Sequence, residues 1–122
     1  MENNYYTVTG KGKFEGEHIY NVRLNPTASI YRGHFPGNPV SPGVCNLRMI
    51  AECAADLTGR NLRIRKILRC RFLSVITPEK NSRLWIRLQV QELQDGNGLY
   101  AVAAQITDGD KVCVDFKGEL TE

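Results

Sequence analysis

The sequence has no long apolar run, and its cysteines and histidines show none of the spacings that metal ligands need. No apolar stretch approaches the roughly 20 residues of a membrane-spanning helix, so we expect no membrane association. The start of the chain lacks the apolar core and cleavage pattern of a signal peptide, which predicts a cytoplasmic protein. Four cysteines occur without a CxxC pair, so we expect neither a metal site nor disulfides, but buried free thiols at Cys45, Cys53, Cys70 and Cys113.

Neither positive nor negative charge is in large excess. The formal net charge is +3, the isoelectric point is about 8.7, and there is no basic tail. One strand candidate carries a ladder of arginines, which predicts either a solvated strand face or a basic docking surface for an acidic partner: Arg63, Arg65, Arg69 and Arg71. Because no aromatic platform accompanies this ladder, we do not expect nucleic-acid binding.

The length and composition predict one globular domain over residues 1–122. With 42% apolar and 24% charged residues, the chain is long enough to bury one core and too short for two. Val44 to Thr58 is the one segment with helical periodicity, and Gly59 stands where a helix ends. Its narrow polar set, which predicts a mostly enclosed helix, is Asn46, Arg48, Glu52 and Asp56.

The rest of the chain predicts antiparallel strands. Before the helix we expect a short first strand, broken up by Gly10 and Gly12, and a half-buried strand from Glu17. After it, residues 62–74, 84–90, 99–107 and 112–117 alternate with a period of two, and the turns between them contain glycine, proline, aspartate or asparagine. An apolar sheet face needs a cover, so the predicted architecture is α+β, a curved antiparallel sheet wrapped around one central helix.

A loop dense in glycine and proline precedes the helix and carries one of the two histidines. Three prolines and three glycines fall within residues 33–43, a density that excludes regular structure and fixes a specific loop shape. This loop would position His34 ahead of a helix whose first free N–H groups come from around Gly43 and Val44.

The stretch GHFPGNPVSPGV over residues 33–44 resembles the GHFPGxPxxPG signature of the 3-hydroxyacyl-acyl-carrier-protein dehydratases of fatty-acid synthesis. The resemblance runs from about Glu17 to the end of the chain. It implies the hotdog fold, a dimer or higher oligomer, and a substrate carried as a thioester on acyl carrier protein or coenzyme A. It implies neither a metal nor a redox cofactor.

The resemblance also assigns roles to residues. His34 matches the histidine that takes the C2 proton of the substrate, and Gly43 and Val44 match the backbone N–H groups that hold the thioester carbonyl. Phe35 and Pro42 would line the substrate site. The family has an Asp or Glu fourteen residues after the histidine, usually reaching in from the other subunit, and here that position is Arg48.

The replacement by Arg48 leaves three functions open. In a working dehydratase, His34 would act as base and then acid while Arg48 orients the substrate, or Glu52, one turn later, would supply the acid. In a hotdog acyl thioesterase, Glu52 or His34 would activate water. In the third case, a catalytically degenerate subunit binds acyl thioesters, or completes a heterodimer whose partner retains the acid.

Overall fold

The computed structural model describes residues 5–28, 42–94 and 98–122 of the chain. The order of elements is β1 (Tyr6–Phe14), β2 (Glu17–Leu24), α1 (Gly43–Thr58), β3 (Arg63–Phe72), β4 (Arg83–Gln94), β5 (Leu99–Asp108) and β6 (Lys111–Thr121). The strands form one six-stranded sheet in the order β1-β2-β4-β5-β6-β3, and every neighbouring pair is antiparallel. In the described residues, the predicted antiparallel sheet around one central helix is therefore confirmed.

The helix is enclosed because most of its surface is apolar. It ends where the sequence predicts: Gly59 has a left-handed φ of 71°, which glycine adopts without a β-carbon clash, and its N–H donates to the Ala55 carbonyl. Met49, Ile50 and Ala54 are fully buried against the inner face of the sheet. That face contributes alternate residues of β4, β5 and β6, among them Leu84, Ile86, Leu88, Val102, Ile106, Val114, Phe116 and Leu120.

Strand β1 is longer than the sequence predicts. Gly10 and Gly12 lie inside it, and the pairing with β2 continues past them after an irregularity between Val8 and Gly10. A bulge at an edge strand accommodates glycine, since no neighbouring strand on the other side needs a side chain there. The prediction of a short, broken first strand was therefore wrong.

Strand β3 also differs from its prediction. Its period of two suggested a half-buried strand, yet within it only Ile64 and Cys70 are even partly buried. β3 is the last strand of the sheet, and its pairing with β6 shifts register twice, between Ile64 and Lys66 and between Ile67 and Arg69. An edge strand with two bulges turns apolar side chains away from the core, so Ile67 and Leu68 are about half exposed.

Two of the predicted turns are confirmed in the described part of the chain. The turn after Thr77 closes through the Asn81 N–H, and Gly109, with φ of 59°, links β5 to β6. All four cysteines are free, and three of them are buried. Among the described residues, no helix is long and apolar enough to cross a membrane. The predicted hairpin at 95–97 lies outside the described residues.

Candidate active site

The start of α1 is open to a ligand. Pro42 occupies the N-cap position, and its carbonyl accepts the N–H groups of Cys45 and Asn46 at 3.0 and 3.2 Å. Proline cannot cap with its side chain, and the first turn contains no acidic residue. In the described parts of the chain, nothing accepts a hydrogen bond from the N–H groups of Gly43 and Val44. These two amides, at the positive end of the helix dipole, can stabilise a negatively charged oxygen.

A groove of about 440 Å³ runs beside this helix start. Its walls come from the first turn of α1 and from the end of β3 with the segment that follows: Gly43, Asn46, Phe72, Leu73, Ser74, Val75 and Ile76. Phe72 and Val75 are 54% and 66% exposed, although both are apolar. The groove therefore offers apolar contacts to a ligand beside the Gly43 backbone.

The Phe72 ring lies close to the backbone of Gly43. A β-carbon at position 43 would lie 2.8 Å from the Cζ atom of the Phe72 ring, closer than carbon atoms approach. The ring therefore rests on the bare backbone of the helix start. A side chain at position 43 would therefore require the half-exposed Phe72 ring to shift.

Arg48 and Glu52 lie one and two turns further along α1. Arg48 Nε is 4.0 Å from Glu52 Oε2, at the limit of an ion pair, and their side chains are 52% and 34% exposed. The other carboxylate oxygen of Glu52 accepts a 2.7 Å hydrogen bond from the Tyr6 hydroxyl. Burial and this hydrogen bond raise the pKa of Tyr6 well above its ordinary value, so Tyr6 remains a donor at neutral pH.

Two further tyrosines, one in β2 and one just before β1, fix the helix to this side of the sheet. Tyr20 donates a 2.7 Å hydrogen bond to Asp56, which also pairs with Lys11 at 3.0 Å. These two partners, Tyr20 first, hold the pKa of Asp56 below its usual value. Tyr5 donates to the buried Asn46 at 3.2 Å. The polar set of the helix is thus used largely for anchoring, and Arg48 makes only the long contact with Glu52 among the described residues.

The predicted site residues are therefore only partly described. Pro42, Gly43 and Val44 lie together at the helix start, with Arg48 and Glu52 along the same helix. His34 and Phe35 lie outside the described residues. Sequence reasoning missed Tyr6, because a tyrosine in a β-prone stretch carries no local sign of a partner 46 positions away. It also missed the groove wall from Phe72 to Ile76.

Metal binding and cysteine-based catalysis have little support in the described residues. No group of three or more histidine, cysteine, aspartate or glutamate side chains there could hold a metal ion. Burial raises the pKa of the Cys53 thiol to about 12, and burial also raises the pKa of Cys45. These thiols are protonated at neutral pH and are poor nucleophiles.

Comparison with known proteins decides the family. A sequence profile of the ApeI-like family, described as ApeI dehydratase, matches residues 11–114. This chain belongs to the ApeI-like dehydratase family. The predicted membership in a family of dehydratases is confirmed, and the match covers the helix, the loop before it and most of the sheet.

Relatives of this ApeI-like chain include the 3-hydroxyacyl-[acyl-carrier-protein] dehydratases FabZ. The enzyme of Latilactobacillus sakei is 32% identical over 108 residues, which cover 83% of this chain and 71% of the relative. The enzyme of Legionella pneumophila strain Philadelphia 1 is 34% identical over 84 residues, covering 61% of this chain and 55% of the relative.

A solved structure agrees with the fold. The dehydratase heterocomplex ApeI:P from Xenorhabdus doucetiae superposes with a TM-score of 0.70 at 19% identity, covering 95% of this chain and 97% of the matched chain. At this identity the match concerns the fold, and it confirms the hotdog architecture.

Proposed function

We propose that this chain is the histidine-bearing subunit of a dehydratase that converts a 3-hydroxyacyl thioester into the 2-enoyl thioester. The observation that carries the proposal is the uncapped start of α1, where the Gly43 and Val44 amides meet an apolar groove. The names of the FabZ relatives support a 3-hydroxyacyl substrate held on acyl carrier protein. Coenzyme A carries the same thioester and is the alternative carrier.

The proposed reaction is an elimination of water. His34 takes the proton from C2 while the thioester oxygen, held by the Gly43 and Val44 amides, accepts the developing enolate charge. The C2=C3 double bond then forms as the C3–O bond breaks, and the hydroxyl group leaves with a proton as water. No electrons are exchanged with another molecule, so the proposed reaction needs no redox cofactor.

Protonation of the leaving hydroxyl is the step for which this chain offers the weakest candidate residue. Arg48 stands at the family's acidic position, and a guanidinium with a pKa above about 12 does not donate a proton usefully at neutral pH. Glu52 already accepts from Tyr6, which uses part of its hydrogen-bonding capacity. We therefore assign the acid to a related hotdog subunit. The dehydratase heterocomplex ApeI:P is a precedent for a dehydratase with two different components.

The proposal is tested by following enoyl product and free thiol release from one 3-hydroxyacyl thioester. The isolated chain should turn over slowly, and adding a hotdog subunit that has the family's carboxylate should raise enoyl formation by about two orders of magnitude, the usual contribution of a general acid. His34→Ala should remove that gain. Release of thiol without enoyl product would instead assign thioesterase activity, and a gain that survives His34→Ala would overturn the proposal.

A further inference from the structure

Strand β3 is an open edge of the sheet. It hydrogen-bonds β6 on one side, and no described strand pairs with its other side. The unpaired N–H and C=O groups of such an edge can bind a strand from another chain. Strand β3 also carries three apolar side chains that are about half exposed: Ile67, Leu68 and Phe72. Large apolar side chains beside an unpaired edge indicate a surface that another subunit covers.

The same strand is strongly basic. Its ten residues, RIRKILRCRF, contain five cations and no carboxylate. Pairing with β6 places the cations on the outer face, away from the helix: Ile64, Cys70 and Phe72 pair with the buried Leu120, Phe116 and Val114 of the inner face. We call the outer-face cations the basic edge, comprising Arg63, Arg65, Lys66, Arg69 and Arg71.

Carboxylates on β6 neutralise only part of the basic edge. Glu119 pairs with Arg65 at 2.7 Å, and Asp115 is shared by Arg69 at 3.0 Å and Arg71 at 3.8 Å. Within the described residues, Arg63 and Lys66 have no carboxylate within 4.0 Å. Lys117 of β6 lies opposite Arg69 on the same face, so six cations against two carboxylates leave a net charge of +4 at this edge.

This charge acts against pairing with a second copy. In an antiparallel pair, residues that lie opposite one another point to the same face of the sheet. The regular outer-face positions of β3 are all cations, so registers that oppose these positions in two copies of β3 set arginine or lysine against arginine or lysine. Each directly opposed pair of like charges is unfavourable by a few tenths of a kcal/mol to about 1 kcal/mol.

We propose that the basic edge selects the partner of this chain: it disfavours a second copy and fits a related hotdog subunit whose facing strand carries carboxylates on its outer face. The inference rests on the proposed function, in which a partner supplies the missing acid. The apolar contacts of Ile67, Leu68 and Phe72 provide attraction to either partner, and the outer-face charges decide between them. Charge at an edge can also simply keep a protein monomeric, and the test below includes that outcome.

The first measurement uses the unmodified chain and needs no substrate. Its self-association is followed by sedimentation at increasing sodium chloride. Since salt screens exposed charges, the dimer should tighten by about fivefold or more between 50 and 500 mM salt. A dimer that is already tight at 50 mM and does not tighten with salt would overturn the proposal.

The second measurement uses a charge-reversed copy of the chain, Arg63→Glu with Lys66→Glu, as the probe partner. These two side chains have no ion pair to lose, and the formal charge of the chain falls from +3 by four, to −1. Mixed with the unmodified chain at 50 mM salt, this copy should give a mixed dimer about tenfold tighter than either self-dimer. Native mass spectrometry of the mixture counts the species.

The matched control is Arg23→Glu with Arg83→Glu. These residues face each other on the inner strands β2 and β4, both are exposed, and the same formal charge of −1 results. If the control variant gives the same gain in mixed-dimer affinity, net charge alone drives mixing. If no mixed dimer forms at all, the charges only keep the chain monomeric. Either result overturns the proposal. If the charge-reversed copy unfolds, Arg71→Glu takes its place. If the mixed dimer forms preferentially but dehydratase activity is absent, the result contradicts the proposed function and leaves the role of the basic edge intact.

Discussion

Phe72 rests on the backbone of Gly43 so closely that a β-carbon at position 43 would come within 2.8 Å of its ring. The contact joins the end of β3 to the first turn of α1. This packing contact therefore joins one wall of the groove to Gly43 at the start of the helix.

Gly43→Ala should consequently destabilise the fold, because the added methyl group forces the Phe72 ring to move. Because the Phe72 ring is half exposed and can move, we expect the free energy of unfolding to fall by about 1 kcal/mol, the low end of overpacking effects, measured by urea denaturation. Adding Phe72→Leu to the same chain should recover part of the loss. Gly12→Ala is the control, since a β-carbon there meets nothing within 4 Å. Equal losses at positions 43 and 12 would show that the contact has no such effect.

Tyr6→Phe should lower the free energy of unfolding by about 1–2 kcal/mol, because it removes a hydrogen bond to a charged group. The bond to Glu52 measures 2.7 Å. Glu52→Gln and the double variant complete a double-mutant cycle by denaturation, which separates this pair from other contacts of Tyr6. If the two single changes add to within about 0.3 kcal/mol, the pair is not energetically coupled.

Arg48→Glu should give the isolated chain dehydratase activity of its own, because it restores a carboxylic acid at the family's acidic position. Enoyl formation should rise by about tenfold or more, measured at high salt, where pairing of two copies is least disfavoured. Arg48→Gln removes the same positive charge without adding an acid and should remain as slow as the unmodified chain. If the two variants show the same activity, residue 48 does not take the acid's place.

Asp56 should make the fold sensitive to acid. Its hydrogen bond from Tyr20 and its pairing with Lys11 lower its pKa in the folded state below the ordinary 3.8. A carboxyl group with a depressed folded pKa stabilises the protein above its unfolded pKa, and this contribution is lost as pH falls through the folded value.

The difference in unfolding free energy between the unmodified chain and Asp56→Asn should therefore be constant above about pH 5 and shrink below about pH 4. Urea denaturation across that range measures it. Asp110→Asn, at an exposed turn position, is the control and should show no such trend. A difference that grows as the pH falls would contradict the assignment.

Much of the fold could be predicted from local patterns. The helix from Val44 to Thr58, its end at Gly59, the late antiparallel strands and the turn at Asp108 follow from periodicity and turn chemistry, which act over a few residues. The family followed from the residues of the loop before the helix. Predictions failed where position in the sheet overrode the local pattern: β1 tolerates its glycines, and β3 is exposed, because both are edge strands.

Part of the candidate site could also be predicted from the sequence. The motif identified the helix start and the unexpected Arg48, and these remain the centre of the proposed chemistry. The roles of His34, Gly43 and Val44 stay predictions until the assays above are done. The sequence did not predict the Tyr6 hydrogen bond to Glu52, since 46 positions separate the two residues.

The sequence by itself determined the helix with its apolar surface, the loop motif, and the position of Arg48 fourteen residues after His34, because each is a property of nearby residues. Three features depend on the tertiary structure. The Phe72 ring packs on the Gly43 backbone, the Tyr6 hydroxyl donates a hydrogen bond to Glu52, and the basic residues of β3 lie on an edge strand of the described sheet. The physical reason is strand order. Which strand lacks a neighbour, and which side chains meet across the sheet, depend on contacts between residues far apart in the chain.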